Sequence, residues 1–365
     1  MSDRPQPLPQ LAKVRPYVPG EAPKAGTGPS YKLASNENPL GASPRALEVY
    51  RELAGKVEIY PDGGAHALKA AIARRFGLDP ARIITGAGSD EIFLMLARAY
   101  LGPGDESIST KHAFAIFSMV AEQQGATPVI VPEKDFTADV DAILAAVTPR
   151  TKFVWLANPN NPTGTYLPYD EVKRLHAGLP ANVMLVLDGA YAEFVRRNDY
   201  AAGVELVSQN ENVVMTRTFS KLHGLAGLRL GWGYAPAHVI DALERVRMPF
   251  NVNLIAQAVG VAALEDEAFI QRSLSHNETE LPRLIAGLRK LGLEVGDSVG
   301  NFCIAKFPAT RGRTAADALA YLKARGVTVR GLAGYAMPDH LRISVGTVEG
   351  NNAVLAGLED FMAGK

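Results

Sequence analysis

The chain has 365 residues, a length that favours two domains over one and supplies ample side chain to bury. Lys+Arg and Asp+Glu each number 38, for a formal net charge of zero, so no basic field exists to draw in nucleic acid or an anionic membrane, and small-molecule partners are expected. Cys303 is the single cysteine, which excludes an internal disulfide, a thiolate zinc site and an iron–sulfur cluster, and fits a reducing compartment.

Residues 1–30 carry Pro5, Pro7, Pro9, Pro16, Pro19, Pro23 and Pro29. That spacing disfavours helix interiors and central strands and predicts an extended N-terminal arm of the kind that drapes over a neighbour. The opening MSDRPQPLPQ lacks a cationic stretch followed by an apolar one, and no apolar run is long enough to span a bilayer. A cytoplasmic protein is expected.

From about residue 65 to 235, short apolar runs alternate with amphipathic stretches: Arg82 to Thr85, Pro128 to Val131, Lys152 to Ala157, Val183 to Asp188, Asn212 to Thr216 and Leu230 to Ala235. Strands this apolar are buried on both faces, so an α/β fold with helices over a mostly parallel sheet is expected. Beyond Pro249 the pattern becomes a long helical stretch, Leu254 to Leu291, and then shorter α and β segments. The division predicted is an arm (1–30), a large domain (31–250, its first part to about 55 able to pack with the small domain) and a smaller α+β domain (251–365).

Chemistry-bearing stretches fall at the predicted strand ends. In RIITGAGSDEIFLML a strand ends in Gly86, Ala87 and Gly88, and a helix opens at Ser89 with Asp90 and Glu91 in its first turn. Free N–H groups at a helix start bind phosphate, and glycines let it approach; the same glycines also suit a plain tight turn. The turn NPNNPTG follows the strand FVWLA, so Asn161 emerges on the edge where ligands of open α/β sheets bind. Asp188 ends the run VMLVLD, with Tyr191 three residues on in DGAY.

The run MTRTFSKLHGLAGLRLG is the most specific. A lone Lys221 follows Thr218, Phe219 and Ser220, and a glycine-rich turn sets Arg229 eight residues further on. A Schiff-base lysine beside an arginine, serine and threonine that converge on a dianion suits a carbonyl cofactor with a phosphate arm, pyridoxal 5'-phosphate. Asp188 would keep such a cofactor's ring nitrogen protonated. With no HExxH pair among the seven histidines, no metal is expected.

From KLASNENPLGASP (Lys32 to Pro44) through YPDGG (Tyr60 to Gly64), GAGSDE, NPNNPTG and TFSK to LRISVGT (Leu341 to Thr347), the chain resembles the fold-type I pyridoxal-phosphate aminotransferases, and among them the histidinol-phosphate aminotransferase family. The resemblance implies that Lys221 bonds the cofactor and moves the substrate's proton. It also implies that Asp188 pairs with the ring nitrogen, that Asn161 and Tyr191 meet the ring's phenolic oxygen, and that Phe114 stacks on the ring. Gly88, Ser89, Thr218, Ser220 and Arg229, with Asp90 in the same helix turn, would bind the phosphate end. Tyr17, Asn36, Tyr60, Arg330 and Arg342 would bind substrate, with Tyr60 reaching across a homodimer to a shared site. The implied reaction is transamination of L-histidinol phosphate with 2-oxoglutarate. A phenylalanine or tyrosine aminotransferase of the same family is the alternative, since two arginines suit a phosphate or a carboxylate equally. One departure stands out: members of the family carry DEAY where this chain has DGAY, with Gly189 in place of the acid.

Overall fold

Unbroken apolar runs such as Thr151–Ala157 (TKFVWLA) and Met184–Asp188 (MLVLD) are buried on both faces, as their composition requires. They form the middle of a seven-stranded sheet in this computed structural model, which describes residues 4–16 and 30–364. The strand order is Ile83–Gly86, Gly231–Tyr234, Val213–Thr218, Met184–Asp188, Thr151–Ala157, Glu106–Thr110, Thr127–Val131. Neighbours are parallel except at Gly231–Tyr234, which runs antiparallel to both strands beside it. Helices Ser89–Tyr100, Ile116–Gln123 and Ala237–Val246 cover one face around Phe93, Phe117 and Trp155. Helices His66–Phe76, Tyr169–Gly178 and Leu254–Glu265 cover the other, around Leu68, Leu185 and Val259. The mostly parallel α/β layer expected from the sequence is therefore present.

A second, antiparallel sheet follows in the order Glu294–Val295, Phe302–Lys306, His340–Ser344, Arg330–Gly331. Glu267–Lys290, Ala315–Ala324 and Val348–Met362 pack on it through Leu284, Leu288, Leu322, Val354 and Leu358. The early strand Tyr31–Lys32 pairs in parallel with Val327–Thr328, and the Ser344 N–H donates to the Leu33 carbonyl at 3.0 Å. Residues 31–33 thus join the C-terminal layer although they come first in the chain.

Three features differ from the pattern read in the sequence. Glu106–Thr110 (ESIST) is a fully buried strand whose serines hide it from any search for apolar runs. The predicted helix from Leu254 to Leu291 is two helices, Leu254–Glu265 and Glu267–Lys290, because Asp266 leaves helical geometry and its carboxylate accepts from the Phe269 N–H at 3.1 Å. The arm is not extended throughout, since Pro9–Ala12 forms a turn of 3₁₀-helix. Leu254–Glu265 contributes Ala256, Val259, Ala263 and Leu264 to the core of the seven-stranded sheet. We propose on that ground that the smaller domain begins at Asp266 rather than at residue 251. Among the described residues, no helix is long and apolar enough to cross a membrane.

Candidate active site

Parallel strands deliver their C-terminal ends to one edge of a sheet, and the loops that follow build the site there. Gly86, Thr110, Ala157, Asp188 and Thr218 are those ends. The segments beyond them contribute Ser89, Phe114, Asn161, Tyr191, Ser220 and Lys221 to one cavity of about 230 Å³. Its opposite wall comes from the C-terminal layer, with Arg330, Tyr335 and Arg342, and from residues 34–37. Of the site residues read from the sequence, Ser89, Asp90, Phe114, Asn161, Asp188, Tyr191, Thr218, Ser220, Lys221, Arg229, Asn36, Arg330 and Arg342 all line this cavity. Gly88 does not line it but lies against Arg229, which does. Tyr60 does not reach it from its own chain and lies exposed, stacked on Phe250 with ring centroids 4.7 Å apart. Tyr17 lies outside the described residues.

One end of the cavity is built for an anion. The helix Ser89–Tyr100 begins after Gly88, at φ 87°, and no side chain caps it, so its first N–H groups are available to a ligand. The Arg229 guanidinium closes over this point, with Nη1 donating to Ser220 Oγ at 3.4 Å and to the Ala226 carbonyl at 3.1 Å. A Cβ on residue 88 would lie 2.4 Å from Arg229 Nη2, so only glycine permits both the left-handed backbone and this approach. Arg229 Nη2 also meets the Asp90 carboxylate at 3.3 Å; both groups are half-exposed, and the pair contributes little to stability. The hydroxyls of Thr218 and Ser220 complete the cradle.

Lys221 lies between this cradle and Asp188. Its Nζ donates to the Ser35 carbonyl at 3.0 Å and sits 5.6 Å from the centre of the Tyr191 ring. Desolvation, reinforced by the positive field of Arg342, brings its pKa down from 10.5 to about 8. In cofactor-free protein a small acylating reagent should therefore modify Lys221 with a midpoint near pH 8, followed by mass spectrometry. A midpoint near 10.5, the ordinary lysine value, would contradict this environment.

Asp188 is buried, accepting from Thr216 Oγ1 and from the Ala190 N–H, each at 3.2 Å. Burial, with the negative field of Asp90, pushes its pKa up to about 7. A carboxyl that desolvation holds on the verge of neutrality gains most from a cationic hydrogen-bond donor placed against it. These residues thus fit pyridoxal 5'-phosphate on three physical counts: the glycine-and-arginine cradle for a dianion, a depressed lysine for a carbonyl, and a buried acid for a ring N–H. Phe114 supplies an aromatic face to the same cavity.

The DGAY departure has a local explanation. A Cβ on residue 189 would meet the Thr216 carbonyl at 3.1 Å and Arg217 Cδ and Nε at 3.2 Å. Gly189 leaves that room to Arg217, which is buried and paired with Glu193 at 2.9 Å. His223, two residues from Lys221, is turned away from the cavity against Phe219, and burial lowers its pKa to about 4, which keeps it neutral.

Sequence reasoning missed the hub formed by residues 34–36. The carbonyls of Ala34 and Ser35 accept from Arg342 Nη2 at 2.7 Å and Lys221 Nζ at 3.0 Å. Asn36, expected on the substrate, has its amide committed to Tyr191 and Ser344. Arg342 Nη1 donates to Asn161 Oδ1, leaving the Asn161 amide hydrogens for the cavity. Tyr335 was also not anticipated.

A family model, aminotransferase class I and II, matches residues 29–358. With the fold and the cavity it defines an aminotransferase of that class, one that works with pyridoxal 5'-phosphate. The chain is 53% identical over 361 residues to the histidinol-phosphate aminotransferase of Rhodopseudomonas palustris (strain HaA2), covering 99% of each. It is 52% identical to that of Nitrobacter winogradskyi, again over 99% of each. The crystal structure of histidinol-phosphate aminotransferase from Sinorhizobium meliloti, in complex with pyridoxal-5'-phosphate, matches with a TM-score of 0.84 at 27% identity, covering 92% of this chain and 91% of that one. Within its class, the chain belongs to the histidinol-phosphate aminotransferase family.

Proposed function

We propose that the protein transfers the amino group of L-histidinol phosphate to 2-oxoglutarate, giving imidazole acetol phosphate and L-glutamate, a step of histidine biosynthesis. The family to which the chain belongs supports the substrate, and the reaction is supported by a cavity with two cationic ends. Arg229 and the helix start at Ser89 flank Lys221 on one side, and Arg330 with Arg342 stand on the other wall. One end suits the cofactor's phosphate, and the second is left for an anion on the substrate.

When bound, pyridoxal 5'-phosphate supplies an aldehyde that captures amines and a ring that stabilises negative charge at the substrate's α-carbon. The chain's own groups do the rest. Lys221, half neutral near pH 8 and largely neutral above it by its depressed pKa, would take the proton from the α-carbon and return it to the cofactor's former aldehyde carbon, two atoms along across the nitrogen, as general base and then acid. Asp188 holds the proton on the ring nitrogen. Tyr191 and Asn161 hold the ring oxygen, and Arg342, fixed by Ala34 and Asn161, orients the substrate's anion. Orientation by such a clamp contributes to rate by holding the reacting groups in line.

Steady-state kinetics on a panel of amino donors tests the substrate. The kcat/KM for L-histidinol phosphate should exceed those for phenylalanine and tyrosine by about 10- to 100-fold, the worth of one further charge-assisted hydrogen bond that a phosphate offers the arginines beyond what a carboxylate does. Equal or reversed preference favours the aromatic alternative.

The homodimer belongs to the same proposal. Val57, Ile59, Tyr60, Met248 and Phe250 are exposed apolar side chains, and Val57, Ile59, Tyr60 and Phe250 line one common groove. A surface of this kind calls for a partner, and a second copy would bury it and carry Tyr60 toward a neighbouring cavity. Light scattering should give twice the chain mass; the mass of a single chain would remove the shared site.

A further inference from the structure

We propose that Ser344 and Asn36 are positioning residues that fix the direction of the Tyr191 hydroxyl proton, so that Tyr191 donates into the cavity; this rests on the proposed contact between Tyr191 and the cofactor's ring oxygen. The inference follows from counting protons along a buried chain. The Asn36 N–H donates to Ser344 Oγ at 2.9 Å. Ser344 Oγ is also 2.7 Å from Asn36 Oδ1, and since a carbonyl oxygen can only accept, the serine proton goes there. That bond fixes the amide's orientation. Its Nδ2 then faces Tyr191 and donates to the phenolic oxygen at 2.8 Å. A hydroxyl that receives a proton from one side has its own to give on the other, and the cavity is what Tyr191 lines.

The fold over-determines this chain. Asn36, Ser344 and Tyr191 are 1%, 2% and 3% exposed, so water does not compete for these bonds. Asn36 sits in the left-handed region at φ 56°, which asparagine tolerates better than most side chains. Its carbonyl accepts from Asn301 Nδ2 at 3.1 Å, and Ser344 is anchored through its N–H to Leu33. The Tyr191 ring packs edge-on against Phe302, centroids 5.1 Å apart. The charged groups that face the Tyr191 hydroxyl are Arg342, Asp188 and Asp90, with Lys221 over its ring. None of them supplies the directional constraint that the amide does.

A proton donated to the ring oxygen stabilises its anionic form and lowers the pH at which the bound cofactor loses its proton. The readout is therefore the midpoint of the spectroscopic pH titration of the cofactor-loaded protein, independent of turnover. Tyr191→Phe should raise that midpoint by about one unit, the ten-fold change that one hydrogen bond to a charged group is worth. Asn36→Asp replaces the donor with an acceptor that turns the tyrosine proton away, and should raise it as much. In the Tyr191→Phe background Asn36→Asp should add nothing, because there is no hydroxyl left to orient. Ser344→Ala should produce part of the rise and Ser344→Thr, which keeps a hydroxyl, should not; this pair also serves if Asn36→Asp does not fold. An Asn36→Asp shift that persists without the hydroxyl is a plain charge effect and overturns the relay, as does an unmoved midpoint in Ser344→Ala. If Tyr191→Phe itself leaves the midpoint unmoved, the contact between Tyr191 and the ring oxygen fails, and the relay with it.

Discussion

Lys221→Ala should lower turnover by about 10⁴-fold or more while the protein still takes up pyridoxal 5'-phosphate. The size of the loss reflects two roles held by one nitrogen, covalent capture of the cofactor and proton transfer at the substrate, each of which alone is worth orders of magnitude. The environment explains why no neighbour substitutes. Lys221 is the cavity residue whose amine is driven toward its neutral form, to a pKa of about 8, by burial beside Arg342, and the arginines around it stay charged. Cofactor retention follows from the other end of the site, where Gly88, Ser89, Ser220 and Arg229 form a cradle that does not depend on the lysine. Absorbance of the desalted variant reports retention, and single-turnover kinetics reports the rate. A variant within ten-fold of the parent enzyme would mean that another group moves the proton.

Asp188→Asn should cost about 10²- to 10³-fold in kcat with the fold intact. Asparagine keeps the size of the side chain and an oxygen to accept from Thr216 Oγ1 and the Ala190 N–H, so the strand end at residue 188 is preserved. What disappears is the negative charge. A buried, hydrogen-bonded charge pair is worth about 2–5 kcal/mol against its broken form, and here its partner is the proton on the ring nitrogen. Stability without cofactor should move the other way. The Asp188 pKa is about 7 in the folded chain against 3.8 ordinarily, so between those values the folded state holds the extra proton and stability falls as pH rises. Asparagine removes that slope, and cofactor-free Asp188→Asn should melt no lower than the parent at pH 8. A variant with parental kcat, or one destabilised at pH 8, would remove Asp188 from this role.

Much of this site was legible in the sequence because the fold is repetitive in one respect: each parallel strand ends where a loop meets the ligand. Apolar runs ending in Gly86, Ala157, Asp188 and Thr218 announce both the strand and its functional end. The turn chemistry that follows, glycines before Ser89 and the lone lysine after Ser220, is local and readable. Other features rest on forces that leave no local trace. The Asn36–Ser344 bonds join residues 308 apart, and nothing in KLASNENPLG says which way that amide turns. Arg342 is expected from the resemblance that LRISVGT carries. That it is held by Ala34 and Asn161 depends on two layers meeting, which periodicity does not report. Glu106–Thr110 was missed for an opposite reason: its serines are polar, yet their backbone is paired on both sides and so tolerates burial. The break at Asp266 was readable in principle as a capping aspartate, but the apolar pattern runs on either side of it.

Borohydride reduction of the cofactor-loaded protein, followed by peptide mapping, tests the central claim most directly. The expected result is a single reduced adduct on the peptide that contains Lys221, with the protein's visible band bleached. An adduct on any other lysine, or none with the band unchanged, would contradict it.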